Sequence, residues 1–135
     1  ELRYAELAKK LTAEGCDVWV VGGPGEKRYA EQISANGRFA RDLTSNDLRN
    51  GILQLAAADA AVSNDSGLMH VAAAIGTPTV GLFGPTSPWH WAPLNPISAI
   101  IEAPWRAPGD NNVKNRTTED IPLDEVFVAT MQALK

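Results

Sequence analysis

The chain holds 135 residues, 44% hydrophobic and 21% charged, which is ordinary globular usage for about one domain's length and excludes a disordered chain. No window approaches the roughly 18 consecutive apolar residues of a membrane span. Lys and Arg total 12 against 16 Asp and Glu, a net charge of -4 without a basic block, which argues against nucleic-acid binding through a basic face. A single cysteine, Cys16, forms neither an internal disulfide nor a C-x-x-C metal knuckle, and it fits a reducing cytoplasm. The opening Glu1 to Leu7 shows neither an initiator Met nor a signal peptide and already reads as amphipathic helix, so a piece of a longer protein is expected.

Tyr4, Leu7, Ala8 and Leu11 recur at helical spacing and Gly15 follows as a C-cap glycine, predicting a first helix to about Glu14. Val18 to Val21 is a short β-branched and aromatic run, expected as a strand buried on both faces. The turn Gly22-Gly23-Pro24-Gly25 then opens a second helix with Glu26 in its first turn, and Asn36-Gly37 stops it. Phe39 to Leu43 reads as a short strand, and the cap-forming cluster Thr44-Ser45-Asn46-Asp47 precedes a third helix ending near Ala58.

Ala60 to Ser63 is a second small buried strand, with Asn64-Asp65-Ser66-Gly67 as its exit. Leu68, Val71, Ala72 and Ile75 mark a fourth helix closed by Gly76, and Pro78 to Phe83 is a further strand. Beyond it, five of the nine prolines and three of the four tryptophans fall within about 20 residues, an ordered nonhelical loop region. Ile97 to Ile101 reads as a late strand, 108 to 116 as a polar, mobile segment, and Leu123 to Leu134 as a terminal amphipathic helix behind Pro122. Strand, turn, helix and strand in repetition is βαβ arithmetic: an α/β fold with a parallel, Rossmann-like sheet and helices on both faces.

In such a sheet, ligands bind beyond the carboxyl ends of the strands, where helix N-termini present free N–H groups. Three turns qualify, Gly22 to Glu26, Thr44 to Asp47 and Asn64 to Leu68, with Gly84-Pro85-Thr86-Ser87-Pro88 as a fourth wall. Gly67 lacks a side chain where a phosphate would approach, and Ser66 places a hydroxyl beside it. A phosphate or diphosphate is the natural guest. Neither G-x-G-x-x-G nor G-x-x-x-x-G-K-[ST] occurs, so nicotinamide and P-loop sites are not supported.

Each residue also has a plainer role. The glycine turn at 22 to 25 serves equally as structure, and a carboxylate before a helix, Asp65, is in the first place an ordinary cap. His70, on a helix rich in Ala and Val, is more often a packed histidine than a ligand. A Ser66-His70-Asp65 hydrolase lacks the G-x-S-x-G elbow, and two histidines 20 residues apart without a D-x-D pair leave no metal site. Trp89-His90-Trp91 and Trp105 offer either a stacking platform or loop anchors, and Arg106, Lys114 and Arg116 either meet an anionic partner or form solvated surface.

The run Ser63-Asn64-Asp65-Ser66-Gly67-Leu68-Met69-His70, followed by Gly76-Thr77-Pro78 and Gly84-Pro85-Thr86-Ser87-Pro88, resembles the C-terminal domain of glycosyltransferase family 9, the ADP-heptose:lipopolysaccharide heptosyltransferases. Val20 to Glu26 and the helix into Ala58-Asp59 are similar in order and spacing, so the likeness covers about residues 1 to 95. The resemblance implies a GT-B enzyme with two Rossmann-like domains facing a cleft, and a single donor-binding domain over 1–135. The implied nucleotide-sugar contacts are Asp65, Ser66, Gly67, Leu68 and His70 at the diphosphate and sugar, Glu26 at the ribose, and Thr44, Ser45 and Asn46 beside the adenine.

The implied reaction is inverting transfer of heptose from ADP-heptose to a lipopolysaccharide core acceptor. No cofactor or metal is implied, nucleic acid is not a partner, and no catalytic residue is expected in this chain, because the resemblance implies a base that is an Asp of the N-terminal domain, and a further Lys for the phosphates that also lies outside this chain. Donor binding without turnover is therefore expected, in a cytoplasmic enzyme whose full-length form sits at the inner face of the bacterial inner membrane. Many relatives carry a cysteine-containing stretch after the G-P-[ST]-x-P loop, which Ile101 to Arg116 lacks. A transferase of another nucleotide sugar, a GT-B sugar-nucleotide epimerase and a noncatalytic nucleotide-binding module are the alternatives.

Overall fold

The computed structural model describes residues 2–86 and 97–135, which form two compact units, Glu1–Ala57 and Ala58–Lys135. In the first unit, helix α1 (Leu2–Ala13) buries Leu7, Ala8 and Leu11 on one stripe. Gly15 adopts φ +86° while Cys16 N donates to Leu11 O at 3.1 Å, closing the helix as the glycine implied. Strand β1 (Trp19–Val20) runs parallel to β2 (Arg41–Asp42), with Trp19 opposite Arg41 and Val20 opposite Asp42. The pairing continues beyond the strands, since Leu43 N donates to Val20 O at 3.0 Å and Ser45 N to Gly22 O at 3.0 Å.

Two expectations change here. Val18 to Val21 is half-buried, not buried on both faces, and the Trp19 indole Nε1 reaches outward to Asp17 Oδ2 at 3.1 Å. Pro24–Glu26 forms a separate 3-10 turn, closed by Glu26 N on Gly23 O at 3.1 Å, before helix α2 (Lys27–Ser34) begins. Helix α2 ends at Ala35, Asn36 and Gly37, all with positive φ. Asp47 caps helix α3 (Leu48–Ala57), its Oδ1 accepting from Asn50 N at 3.2 Å.

The second unit is a three-stranded parallel sheet of β3 (Ala61–Asn64), β4 (Thr79–Phe83) and β5 (Ala99–Glu102), with β4 in the centre. All five β4 residues are buried, as a parallel strand paired on both edges should be; β3, by contrast, is only half-buried. Helix α4 (Gly67–Ala74) crosses from β3 to β4 and buries Met69, Ala72 and Ala73. A Cβ at Gly81 would stand 3.0 Å from Met69 Sδ and 3.2 Å from the Phe83 ring, so the missing side chain lets α4 seat its methionine against β4. Helix α5 (Leu123–Ala133), behind Pro122, buries Val126 and Thr130, whose Oγ1 donates to Val126 O at 2.7 Å.

The polar segment 108 to 116 contains a 3-10 turn, Val113–Asn115, and a second, Thr118–Asp120, follows it. Asp110 accepts from Asn112 N at 3.0 Å and from Asn115 Nδ2 at 2.9 Å. These donors, the backbone N–H of Asn112 first, hold its carboxyl below the usual range. Short polar side chains satisfying nearby backbone shape a turn within this polar segment.

Candidate functional site

The first unit brings Glu26, Thr44 and Ser45 to the carboxyl end of the β1–β2 ladder. Glu26 folds back over the glycine turn, its Oε2 3.3 Å from where a Gly23 Cβ would stand and 3.5 Å from one at Gly22. Both glycines therefore make room for this carboxylate. Ser45 N donates to Gly22 O, tying the second turn to the first. Thr44 is held by Asp42, whose Oδ1 accepts from Thr44 N at 3.0 Å and from Thr44 Oγ1 at 2.6 Å. Asn46 is exposed beside them.

Asp42 also meets Lys27 Nζ at 2.7 Å through Oδ2. The Lys27 ammonium first, then the Thr44 hydroxyl, hold the Asp42 carboxyl down at about 2, and the same pair raises Lys27. Neither Lys27 nor Asp42 stood out in the sequence. Their partnership spans 15 positions and forms only because α2 and β2 lie side by side.

The second unit brings Asp65, Ser66, Gly67, Leu68 and His70 to the exit of β3. Ser66 is the cap of α4, its backbone extended (φ -157°, ψ 168°) and its Oγ accepting from Met69 N at 3.4 Å. This corrects the assignment of the cap to Asp65. Ser63 Oγ donates to Asn64 O at 2.8 Å and lies 3.1 Å from Ser66 Oγ. With the Ser63 proton so used, Ser66 is the donor of the pair. Ser63, treated in the sequence as a strand residue, thus belongs to the site.

Asp65 N donates to Leu82 O at 3.2 Å, and its Oδ1 stands 3.8 Å from His70 Nε2. The His70 side chain is 43% exposed, so it is not the packed histidine that its apolar helix suggested. Ser66 finds Ser63 and Met69, not His70, and no serine–histidine hydrolase pair is assembled. No bond within the described residues takes the N–H groups of Gly67 and Leu68, which belong to the open first turn of α4. A Cβ on Gly67 would meet nothing within 4 Å. The turn thus gathers two N–H donors without a partner among the described residues, a fixed hydroxyl, an imidazole and a carboxylate, and a helix N-terminus of this kind is compatible with an anion.

Arg116, expected as either an anion contact or solvated surface, is neither, being 6% exposed. Its guanidinium donates to Gly84 O, Thr86 O, Ala103 O and Glu102 Oε1. Trp105 stacks on it with 4.8 Å from Arg116 Cζ to the ring centroid, which makes this tryptophan a loop anchor. Arg106 pairs with Asp120 at 2.7 Å. Trp89, His90 and Trp91, with Ser87 and Pro88 of the fourth wall, lie outside the described residues. Among the described residues, no three His, Cys, Asp or Glu side chains gather as a metal site.

Parallel strands whose carboxyl ends carry a capped helix and hydroxyl-bearing turns define a Rossmann-like α/β architecture. Residues 1–120 match glycosyltransferase family 9 (heptosyltransferase), and the chain belongs to that family. It is 39% identical over 104 residues to lipopolysaccharide heptosyltransferase 2 of Salmonella typhimurium, a match covering 73% of this chain and 30% of that protein. Among solved structures, E. coli ADP-heptose lps heptosyltransferase II superposes with a TM-score of 0.74 at 34% identity, over 96% of this chain and 41% of that one. E. coli heptosyltransferase WaaC with ADP gives 0.82 at 23% identity over 97% and 38%, a likeness of fold. The chain thus spans about 30% of the length of the curated relatives it matches.

Proposed function

We propose that this chain is the donor-binding domain of an inverting heptosyltransferase that moves heptose from ADP-heptose to a lipopolysaccharide core acceptor. The observation that carries the reading is the β3–α4 turn, where Ser66 caps the helix, the Gly67 and Leu68 N–H groups take no bond among the described residues, and a Cβ on Gly67 would meet nothing within 4 Å. Backbone donors at a helix N-terminus suit a diphosphate and stabilise the charge that a leaving nucleoside diphosphate develops. Asp65, Ser66, Gly67, Leu68 and His70 take the diphosphate and sugar in this reading. Glu26 takes the ribose hydroxyls, and Thr44, Ser45 and Asn46 border the adenine, as family membership and the fixed turns of the first unit support.

In the reaction, an acceptor hydroxyl gives its proton to a carboxylate base and attacks the anomeric carbon. The bond to the diphosphate oxygen breaks, and ADP leaves with the electron pair. The base is proposed to lie in the N-terminal domain of the whole protein, so the 135-residue chain binds donor without turnover. The same whole protein is proposed to act in the cytoplasm at the inner face of the inner membrane; no helix among the described residues is long and apolar enough to cross one.

Titration of the chain with ADP and, in parallel, UDP, followed by backbone amide shifts, tests the reading. Movement of Glu26, Asn46 and Ser66 to His70 with ADP and little with UDP is expected. Equal or stronger UDP shifts would discard the adenine-nucleotide donor, and heptose transfer by this chain alone would refute the placement of the base elsewhere.

A further inference from the structure

We propose that Arg116 is a positioning residue for the donor site, fixing the chain that leaves β4 and β5 beside the Asp65–Leu68 turn; the proposal rests on the donor-site reading above. The strands β3, β4 and β5 are parallel, so their carboxyl ends share one edge of the sheet. Asn64 is paired with Leu82, and Asp65 N bonds Leu82 O. Neighbouring strands lie about 4.8 Å apart. The exit of β4, which begins at Gly84, therefore leaves from the strand adjacent to the exit of β3, which begins at Asp65.

Arg116 reaches that edge from 30 residues further along the chain than Thr86. Nε donates to Gly84 O at 3.0 Å and Nη2 to Thr86 O at 3.0 Å, so both ends of this loop segment are gripped by one plane. Nη1 reaches Ala103 O at 3.4 Å and Glu102 Oε1 at 3.2 Å, gathering the exit of β5 as well. Trp105 covers the guanidinium. Only a planar, multiply donating cation serves several fixed acceptors at once, and a lysine ammonium on one flexible stem does not.

An independent contact points to the same function. A Cβ on Gly84 would stand 2.5 Å from Thr118 N and 2.9 Å from Thr117 C. The backbone just after Arg116 is thus pressed flat against Gly84, and the strap 116 to 118 both bonds and buttresses the loop. The guanidinium of Arg116 is engaged by Gly84 O, Thr86 O, Ala103 O and Glu102 Oε1. Its effect on binding travels through the placement of Gly84 to Thr86 against the β3 exit.

The test uses the whole 135-residue chain with ADP as the probe, by calorimetric titration well below each variant's unfolding midpoint, with amide shifts recorded on the free proteins. Arg116→Lys is expected to weaken ADP binding about ten-fold, the lower end of the loss seen when partners that orient metal ligands are removed. It should also displace the Ser66 and Gly67 amides, which Arg116 does not touch. A purely stabilising arginine would lower the midpoint but leave the affinity of the folded fraction and those two amides unchanged, and that result overturns the proposal. Glu102→Gln and Trp105→Leu keep the guanidinium and remove one restraint each, guarding against a variant that fails to fold. About two- to three-fold weaker binding is expected for each, since each removes a single contact, and unchanged affinity in both overturns the proposal. A wild-type chain that ignores ADP removes the donor-site reading and this proposal with it, whereas wild-type binding matched by Arg116→Lys removes the proposal alone.

Discussion

Asp42→Asn should produce a stability loss that depends on pH in a specified direction. In the wild type, the carboxylate receives the Lys27 ammonium, the Thr44 hydroxyl and the Thr44 N–H. Its pKa falls from 3.8 to about 2. At about 1.36 kcal/mol per unit, that shift corresponds to about 2 kcal/mol of stability. Lys27 is 57% exposed although Asp42 is only 16% exposed, so solvent screening reduces the figure to about 1–2 kcal/mol. The folded-state value is the depressed one, so the contribution is complete above the unfolded value and disappears as pH falls from about 4 through about 2. Urea unfolding at a series of pH values, read from amide signals of residues 19 to 57, measures it. Wild type should exceed Asp42→Asn by about 1–2 kcal/mol at neutral pH and converge on it near pH 2. A gap that stays constant over the whole range, or widens in acid, would refute the assignment of this carboxylate as the charged anchor of the Thr44 turn.

Gly67→Ala should leave stability unchanged or raise it by up to about 1 kcal/mol in thermal unfolding, because its Cβ meets nothing within 4 Å; ADP affinity should nevertheless fall, since the methyl enters the space before the α4 N-terminus. Gly84→Ala should cost about 1–3 kcal/mol by forcing backbone apart, measured by denaturant midpoint, given the 2.5 Å approach to Thr118 N. Ser66→Ala should destabilise by about 1 kcal/mol through the lost cap, and amide exchange at Met69, whose N–H it receives at 3.4 Å, should accelerate more than at Ala72.

Much of this was legible in the sequence because local signals and tertiary demands agreed. Gly15, Asn36-Gly37 and Gly76 stop helices where the chain must turn left-handed, and each has a positive φ. The βαβ alternation from Ala61 to Phe83 appeared with nearly the expected bounds, since apolar residues dominate α4 and β4. Departures came where partners are distant in sequence. Arg116 looked like a surface charge because its acceptors, Gly84 O and Thr86 O, are backbone atoms 32 and 30 positions away, and periodicity says nothing about carbonyls. Asp65 was favoured as a cap by residue type, yet Ser66, one position later, has the extended backbone and the bond to Met69 N. Both are good capping residue types, and only the backbone path decides between them. The Lys27–Asp42 pair left no local pattern at all.

The burial of β4 has a bearing on the thermodynamics of recognition. Its five residues are covered on both faces and bonded on both edges, so its amides should exchange with solvent only when the unit opens as a whole. The segment Gly84 to Thr86 is suspended directly from the end of this strand, and the β3 exit is stitched to it through Asp65 N and Leu82 O. In the proposed donor site, a ligand arriving there would meet backbone donors whose freedom was already surrendered during folding. Association in that proposed site would then lose little further conformational entropy at the β3 exit, with the donors acting as a preformed template.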